Sequence, residues 1–223
     1  WVDQVIVADA GSTDDTVDLG RRAGAHVLED TGPTIAAQRN AAIATARNEW
    51  VFALDADERI PPALQQELAD VLRSPRHTIY QVRRQNIYLG REVTRGRWGR
   101  DWVTRLFTRD RRYIERRVHE GLGPIRDPGR LQACLRHMPY RDLSHQLEKI
   151  GRYALWGAQD LYDRGRHATA WDVSLRPLAS FLRSYVVEGQ CWDGRMGLIS
   201  SGLGAYGVFL KYAHLWHLRR GDR

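Results

Sequence analysis

Asp55 and Asp57 stand one residue apart in Asp55-Ala56-Asp57-Glu58, directly after the apolar run Trp50-Val51-Phe52-Ala53-Leu54. An apolar run that ends in acids reads as a buried strand delivering carboxylates to a cleft. Strand alternation would send Asp55 and Asp57 to one side, where two carboxylates repel each other unless a cation lies between them. Hard oxygen donors suit Mg2+ or Mn2+, which usually bridge to the phosphates of a substrate. The same four residues could equally make a solvated acidic turn. Asp9 offers a second carboxylate at a strand tip, in Asp9-Ala10-Gly11-Ser12-Thr13-Asp14. There it could accept hydrogen bonds from a nucleobase or from ribose hydroxyls. Arg39, in Gln38-Arg39-Asn40, could meet a base or a diphosphate, or be an exposed helical arginine.

Further along, Glu120 in Val118-His119-Glu120-Gly121 is placed to face a cleft from a strand-end loop, which suits a general base. A salt bridge to Arg116 or Arg117 would explain it almost as well. Trp98 and Trp102 lie among Arg95, Arg97, Arg100 and Arg105. Indole faces stack on sugars and arginines clamp phosphates, so this stretch could be an acceptor platform. Single-stranded nucleic acid would be bound by the same composition, but no common nucleic-acid motif accompanies it and no such partner is expected.

These residues need elements to hold them. Val2 to Ala8 reads as a strand, followed by a helix from Thr13 to Ala23 with Ser12 as its cap and Asp15 completing a weak capping box. His26 to Leu28 resumes as strand. Thr34 caps an alanine-rich helix reaching about Arg47, and Pro61-Pro62 opens another with Leu64, Leu68, Val71 and Leu72 on its apolar face. The alternation of strands and helices argues for an α/β layer with a mostly parallel sheet. Thr78 to Tyr88 reads as one or two strands, Gly90 to Arg105 as a loop, and the chain as helical from about Leu143. The near-apolar stretch Gly197 to Trp216, flanked by Arg183, Arg195, Arg219 and Arg220, fits an interfacial helical segment better than a spanning one.

The 223 residues are 43% hydrophobic and 27% charged, ordinary for a folded chain with a full core. Their net charge of +7 is unevenly spread: −8 over residues 1–72, +10 over 73–118 and +5 over 119–223. An acidic first third suits a metal site, and a basic middle suits an anionic partner. Cys134 and Cys191 have no metal-ligand spacing and define no disulfide framework, so a reducing compartment is the default.

In order and spacing, VIVADAGSTDDT and AAQRNAAIATARNEWVFALDADE resemble the family-2 glycosyltransferases with the GT-A fold. Arg105-Leu106-Phe107, Val118-His119-Glu120 and the tail from Arg176-Pro177-Leu178 to Lys211-Tyr212 are similar to the lipopolysaccharide-core β-glucosyltransferase branch. The resemblance implies a GT-A catalytic domain over residues 1–140 and a helical, membrane-interfacial region over 141–223. It also leads one to expect an opening strand that cradles the nucleotide, which this sequence does not show, as in a fragment that has lost its N-terminus. Asp9, Asp14, Arg39, Asn40 and Asp55 would bind the nucleotide sugar, and Asp57, with His137 completing the shell, would ligate Mg2+ or Mn2+. Glu120 would be the catalytic base, with Trp98, Trp102 and Arg105 on the acceptor.

The implied reaction is inverting transfer of a hexose, glucose first, from a UDP-sugar to an anionic core or lipid-linked glycan. It would take place at the cytoplasmic face of the bacterial inner membrane, with the protein peripherally attached. Rival expectations are transfer to a polyprenyl phosphate, and a non-catalytic basic module that binds nucleic acid or a membrane surface.

Overall fold

Short apolar runs and capped helices alternate through the first half of the chain, as the sequence pattern anticipates. The computed structural model describes residues 1–114 and 121–220. Strand β1 (Ile6–Ala8), helix α1 (Thr16–Arg22) and strand β2 (His26–Leu28) make a strand–helix–strand crossover. Its strands pair in parallel, with Ile6 opposite His26 and Ala8 opposite Leu28. Helix α2 (Ile35–Thr45) begins at Thr34, whose hydroxyl accepts from the Ala37 N–H at 3.1 Å. Strands β3 (Trp50–Phe52) and β4 (Glu58–Arg59) then flank the acidic tetrapeptide, and α3 (Pro62–Arg73) follows with proline in its first turn.

The middle of the chain is mostly strand: β5 (Ile79–Tyr88), β6 (Arg91–Glu92), the single turn α4 (Gly96–Gly99), β7 (Trp102–Thr108), β8 (Tyr113–Ile114), β9 (Gly121–Leu122) and β10 (Gly129–His137). The larger sheet runs β3-β7-β5-β10-β4, with β6 paired to β5. Three of its pairings are antiparallel: Val51 lies opposite Phe107, Arg136 opposite Arg59 and Ile87 opposite Glu92. Parallel pairing is found where a helix makes the crossover, between β1 and β2. Helices α5 (Leu143–Asp163), α6 (Ala170–Leu182) and α7 (Arg195–Arg220) close the chain. A π turn (Arg183–Val187) and a 3-10 turn (Gln190–Asp193) link the last two.

Two local expectations change. The first strand starts at Ile6 rather than Val2, and α1 starts at Thr16 rather than Thr13. Ser12 does not cap α1, because its amide and hydroxyl both bond back to the Asp9 side chain. A carboxylate that can reach the next turn's donors outcompetes the helix for them.

The chain divides into two compact units, each discontinuous in sequence. The first comprises residues 1–55, 66–82 and 103–132, and the second 56–65, 83–102 and 133–223. The first unit's core joins Ala36 and Ile43 of α2 to Ile79, Phe107, Tyr113 and Leu122, with Val51 and Ala53 against them. The second unit's core includes Ala158 of α5 and Tyr212 and Leu215 of α7, with Val173 of α6 packed on them. Burying Leu215 alone is worth roughly 1.5–3 kcal/mol. Gly197 permits close contact at the start of α7: a Cβ there would lie 1.8 Å from the Gln190 carbonyl oxygen. The Ser200 and Ser201 hydroxyls lock that junction by donating to Gln190 Oε1.

No helix among the described residues is long and apolar enough to cross a membrane. Helix α7 buries Gly197, Ser201, Tyr212 and Leu215 and exposes Leu198, Tyr206, Phe209 and Trp216.

Candidate active site

In the first unit, β1 ends at Ala8 and leaves Asp9 buried at its tip. The Gly11 and Ser12 N–H groups both donate to Asp9 Oδ2 at 2.8 Å, and the Ser12 hydroxyl donates to Oδ1 at 2.5 Å. The Ser12 hydroxyl, with the two amides, holds the Asp9 carboxyl below its ordinary range. Gly11 has φ +87°, a backbone conformation that only glycine adopts without strain. Asp9 thus spends three acceptor positions on shaping its own loop. Exposed Asp14 takes the Thr16 N–H and hydroxyl at the start of α1.

β3 stops at Phe52, three residues before Asp55, although the Ala53 N–H still donates to the Arg105 carbonyl at 2.8 Å. Asp55 and Asp57 therefore lie off the ladder, and strand alternation does not orient them. Asp55 is held instead by two guanidinium groups: Arg39 Nη2 reaches Oδ1 at 2.5 Å, and Arg105 Nη2 contacts Oδ2. Arg105 is almost wholly buried and pairs with Asp55. The Arg39 guanidinium stands 4.9 Å from the centre of the Tyr113 ring. Asn40, the next residue on α2, fixes that tyrosine with both ends of its amide. Its Nδ2 donates to Tyr113 O at 2.9 Å, and its Oδ1 accepts from Tyr113 N–H at 2.8 Å. Asn40 is thus a positioning group for the Arg39 platform.

In the second unit, Asp57 follows a different pattern. His137 Nε2 lies 3.5 Å from Asp57 Oδ1, and Lys149 Nζ lies 3.5 Å from Oδ2. Burial alone would push the Asp57 carboxyl up. The hydrogen bond and charge of His137, then those of Lys149, bring it down to about 2. His137 is aimed by buried Asn86, whose Oδ1 lies 2.5 Å from Nδ1. The Asn86 Nδ2 group donates to Trp98 O at 2.7 Å and to Asp101 Oδ2 at 3.3 Å, which assigns its Oδ1 as the acceptor and His137 Nδ1 as the donor. In the neutral ring Nε2 then presents a lone pair toward a carboxylate. That contact is favourable only with a proton or a metal ion between the two atoms. Glu58, the last acid of the tetrapeptide, is buried against Arg84 at 2.7 Å and is structural.

Asp57 and His137 would be the residues to hold a divalent metal ion here, which would supply positive charge to a bound anion. An imidazole whose far nitrogen is held by a buried amide is the usual way of aiming such a ligand. Among the described residues no three His, Cys, Asp or Glu side chains converge.

The tryptophans separate. Trp98 packs 5.4 Å from Tyr88 and 6.1 Å from Tyr140, an aromatic cluster that also pushes the Tyr140 phenol up to about 12, chiefly through burial. Trp102 lines a pocket of about 590 Å3 together with Arg97, Arg100 and Arg183. Of the pocket's acids, Glu188 pairs with Arg183 at 3.1 Å and Asp101 lies 3.5 Å from Arg84. The loop is tied down where the Gly96 N–H donates to Glu188 O and the Thr94 hydroxyl to Asp193 Oδ1, both at 3.0 Å. Glu120 and His119 lie outside the described residues. Sequence reading missed Lys149, Asn86 and Arg183. Asn86 had one signal, a polar residue near the end of the long strand β5, whereas Lys149 and Arg183 look like ordinary helical cations.

Comparison with known proteins bears on what these carboxylates serve. Over 222 residues, 96% of this chain and 82% of the relative, the sequence is 27% identical to the lipopolysaccharide core biosynthesis glycosyltransferase LpsC of Rhizobium meliloti (strain 1021). An uncharacterized glycosyltransferase of Rickettsia prowazekii (strain Madrid E) is 26% identical over 226 residues, 96% of this chain and 77% of that protein. A shorter match, 38% identical over 90 residues, covers 40% of this chain and 22% of a TPR repeat-containing protein of Synechococcus elongatus. Residues 2–143, from β1 through the start of α5, match glycosyl transferase family 2, and with well over half of its length matched the chain belongs to that family.

Proposed function

We propose that this glycosyltransferase moves a hexose, glucose first among candidates, with inversion from a UDP-sugar to an anionic glycan of the lipopolysaccharide core or another cell-envelope polymer. A peripheral position at the cytoplasmic face of the bacterial inner membrane is part of this reading. The observation that carries it is the Asp57 carboxylate, kept ionised by His137 and Lys149 two residues after the Arg-clamped Asp55. A divalent ion held by Asp57 and His137 would neutralise charge on the departing diphosphate. Arg39 and Tyr113 supply a cation and an aromatic ring for the nucleotide, and Asp55 keeps Arg39 in place. The acceptor class is supported by Arg97, Arg100 and Trp102 in one pocket: guanidinium groups bind phosphate or carboxylate while an indole stacks on a sugar ring. Glu120 is the proposed base for the acceptor hydroxyl.

The test is transfer of labelled hexose from UDP-glucose, with Mn2+ or with chelator, to core oligosaccharide and, separately, to polyprenyl phosphate. Metal-dependent label on the core oligosaccharide is expected. Label found only in prenyl-phosphate sugar would replace the acceptor. Absence of UDP release with every UDP-hexose, metal and acceptor would overturn the donor reading.

A further inference from the structure

Helix α6 has its polarity turned outward-in. Its inward side carries Asp172, which is buried, pairs with Arg176 at 2.6 Å and closes a capping box with Thr169. Arg176 in turn donates to the Tyr212 hydroxyl of α7 at 2.7 Å. The solvent side carries Trp171, Leu175, Leu178 and Leu182, which are 62%, 40%, 53% and 48% exposed. Steps of four, three and four residues set these side chains in one narrow row along the helix. The π turn that follows carries Val186 on from the helix, and Val187 and Trp192 farther along the chain are also exposed. Contiguous large apolar side chains on a folded surface mark a contact face.

The charge around the row selects the partner. Arg166 and His167 precede α6 and Arg195 follows it, while Arg164 and Arg183 flank it already paired with Asp160 and Glu188. The neighbouring acids are turned to other work: Asp172 on Arg176, Glu188 on Arg183, and Asp193 on Thr94 and the Arg95 N–H. Residues 143–220 together hold ten Lys/Arg against six Asp/Glu, a net charge of +4. A row of exposed apolar side chains that opens on a tryptophan, with basic residues before and after the helix, is the pattern that settles at the headgroup level of a bilayer. From Trp171 to Leu182 the row is about 16 Å long, about half the hydrocarbon thickness of a membrane, so the helix would lie in the interface rather than cross it.

We propose that the outward face of α6, continued by Val186, is a docking surface for an anionic lipid bilayer. This rests on the peripheral membrane position proposed above and names the face that would make the contact, independently of the transfer chemistry. The test is sedimentation of the whole chain with vesicles of phosphatidylcholine alone and with vesicles also containing phosphatidylglycerol, at low and high salt. Binding to the phosphatidylglycerol vesicles is expected, weakened but not abolished by salt. The double variant Trp171→Ser/Leu178→Ser should bind them at least about tenfold more weakly, since each lost side chain removes apolar area from the lipid contact. Circular dichroism and melting should match the unaltered chain, and Trp171→Ser alone serves if the pair does not fold. Equal binding by variant and unaltered chain, or no binding to either vesicle, overturns the proposal. So does self-association of the chain that the variant abolishes without any vesicle binding, because the row would then be a protein interface.

Discussion

Asp55 and Asp57 are the same residue type, one position removed from each other, and their surroundings differ in kind. Asp55 meets two guanidinium groups, one of them on a buried arginine. Asp57 meets an imidazole and an ammonium, each at 3.5 Å. Guanidinium is always charged and grips a carboxylate with a fixed fork, so the first arrangement clamps. Imidazole can lose its proton and ammonium sits on a flexible stem, so the second arrangement can exchange a partner for an ion or a substrate group. On our proposal the two acids differ in use as they differ in partners, Asp55 held in a clamp and Asp57 left able to meet a ligand.

That contrast can be broken by substitution. The largest effect is expected from Asp57→Asn, which should lower metal-dependent donor turnover by on the order of 10²–10³-fold at a temperature where the variant is folded. Turnover equal to the unaltered chain would remove Asp57 from the donor chemistry. Next, Asn86→Ala should release His137 Nδ1 and reduce turnover or metal affinity by about 10–100-fold, measured by titrating Mn2+ against UDP release. An unchanged metal response would leave Asn86 a purely structural residue.

For Asp55 the effect should appear in stability instead. Arg105→Ala removes a buried partner and should cost about 3 kcal/mol in urea unfolding, whereas Arg39→Ala, which removes the more exposed arginine, should cost about 1 kcal/mol. Equal costs would mean that burial does not distinguish the two arms of the clamp. The smallest effect concerns pH. The folded-state pKa of Asp57 is about 2, below the ordinary 3.8. The unfolded chain therefore takes up the proton first as pH falls. The stability that Asp57 contributes is full above about pH 4 and is lost as pH falls through about 2. Asp57→Asn should flatten the acid limb of stability against pH in that window, and an unchanged slope would contradict the His137–Lys149 pairing.

Much of this was legible from local signals. Thr34 as a cap, proline in the first turn of α3, and the crossover from Ile6 to Leu28 follow from side-chain reach and from the 3.6- and 2-residue periods. The Ser12 cap failed for an equally local reason, because the Asp9 carboxylate competes for the same donors. The acidic tetrapeptide was visible, but its orientation was not, since β3 ends at Phe52 before alternation can apply.

The sequence by itself determined the alternation of elements, the acidic first third against the basic middle, and the short list of acids worth testing. Only the tertiary structure decided which partner each acid received. Arg105 reaches Asp55 across 50 residues, Asn86 reaches His137 across 51, and Lys149 reaches Asp57 across 92. Caps and periods depend on residues within one turn of each other, whereas these pairs exist only after the chain has closed long loops. The row Trp171, Leu175, Leu178 and Leu182 makes the same point. Its spacing is plain in the sequence, yet nothing local says whether a helix turns such a row toward its core or toward a bilayer.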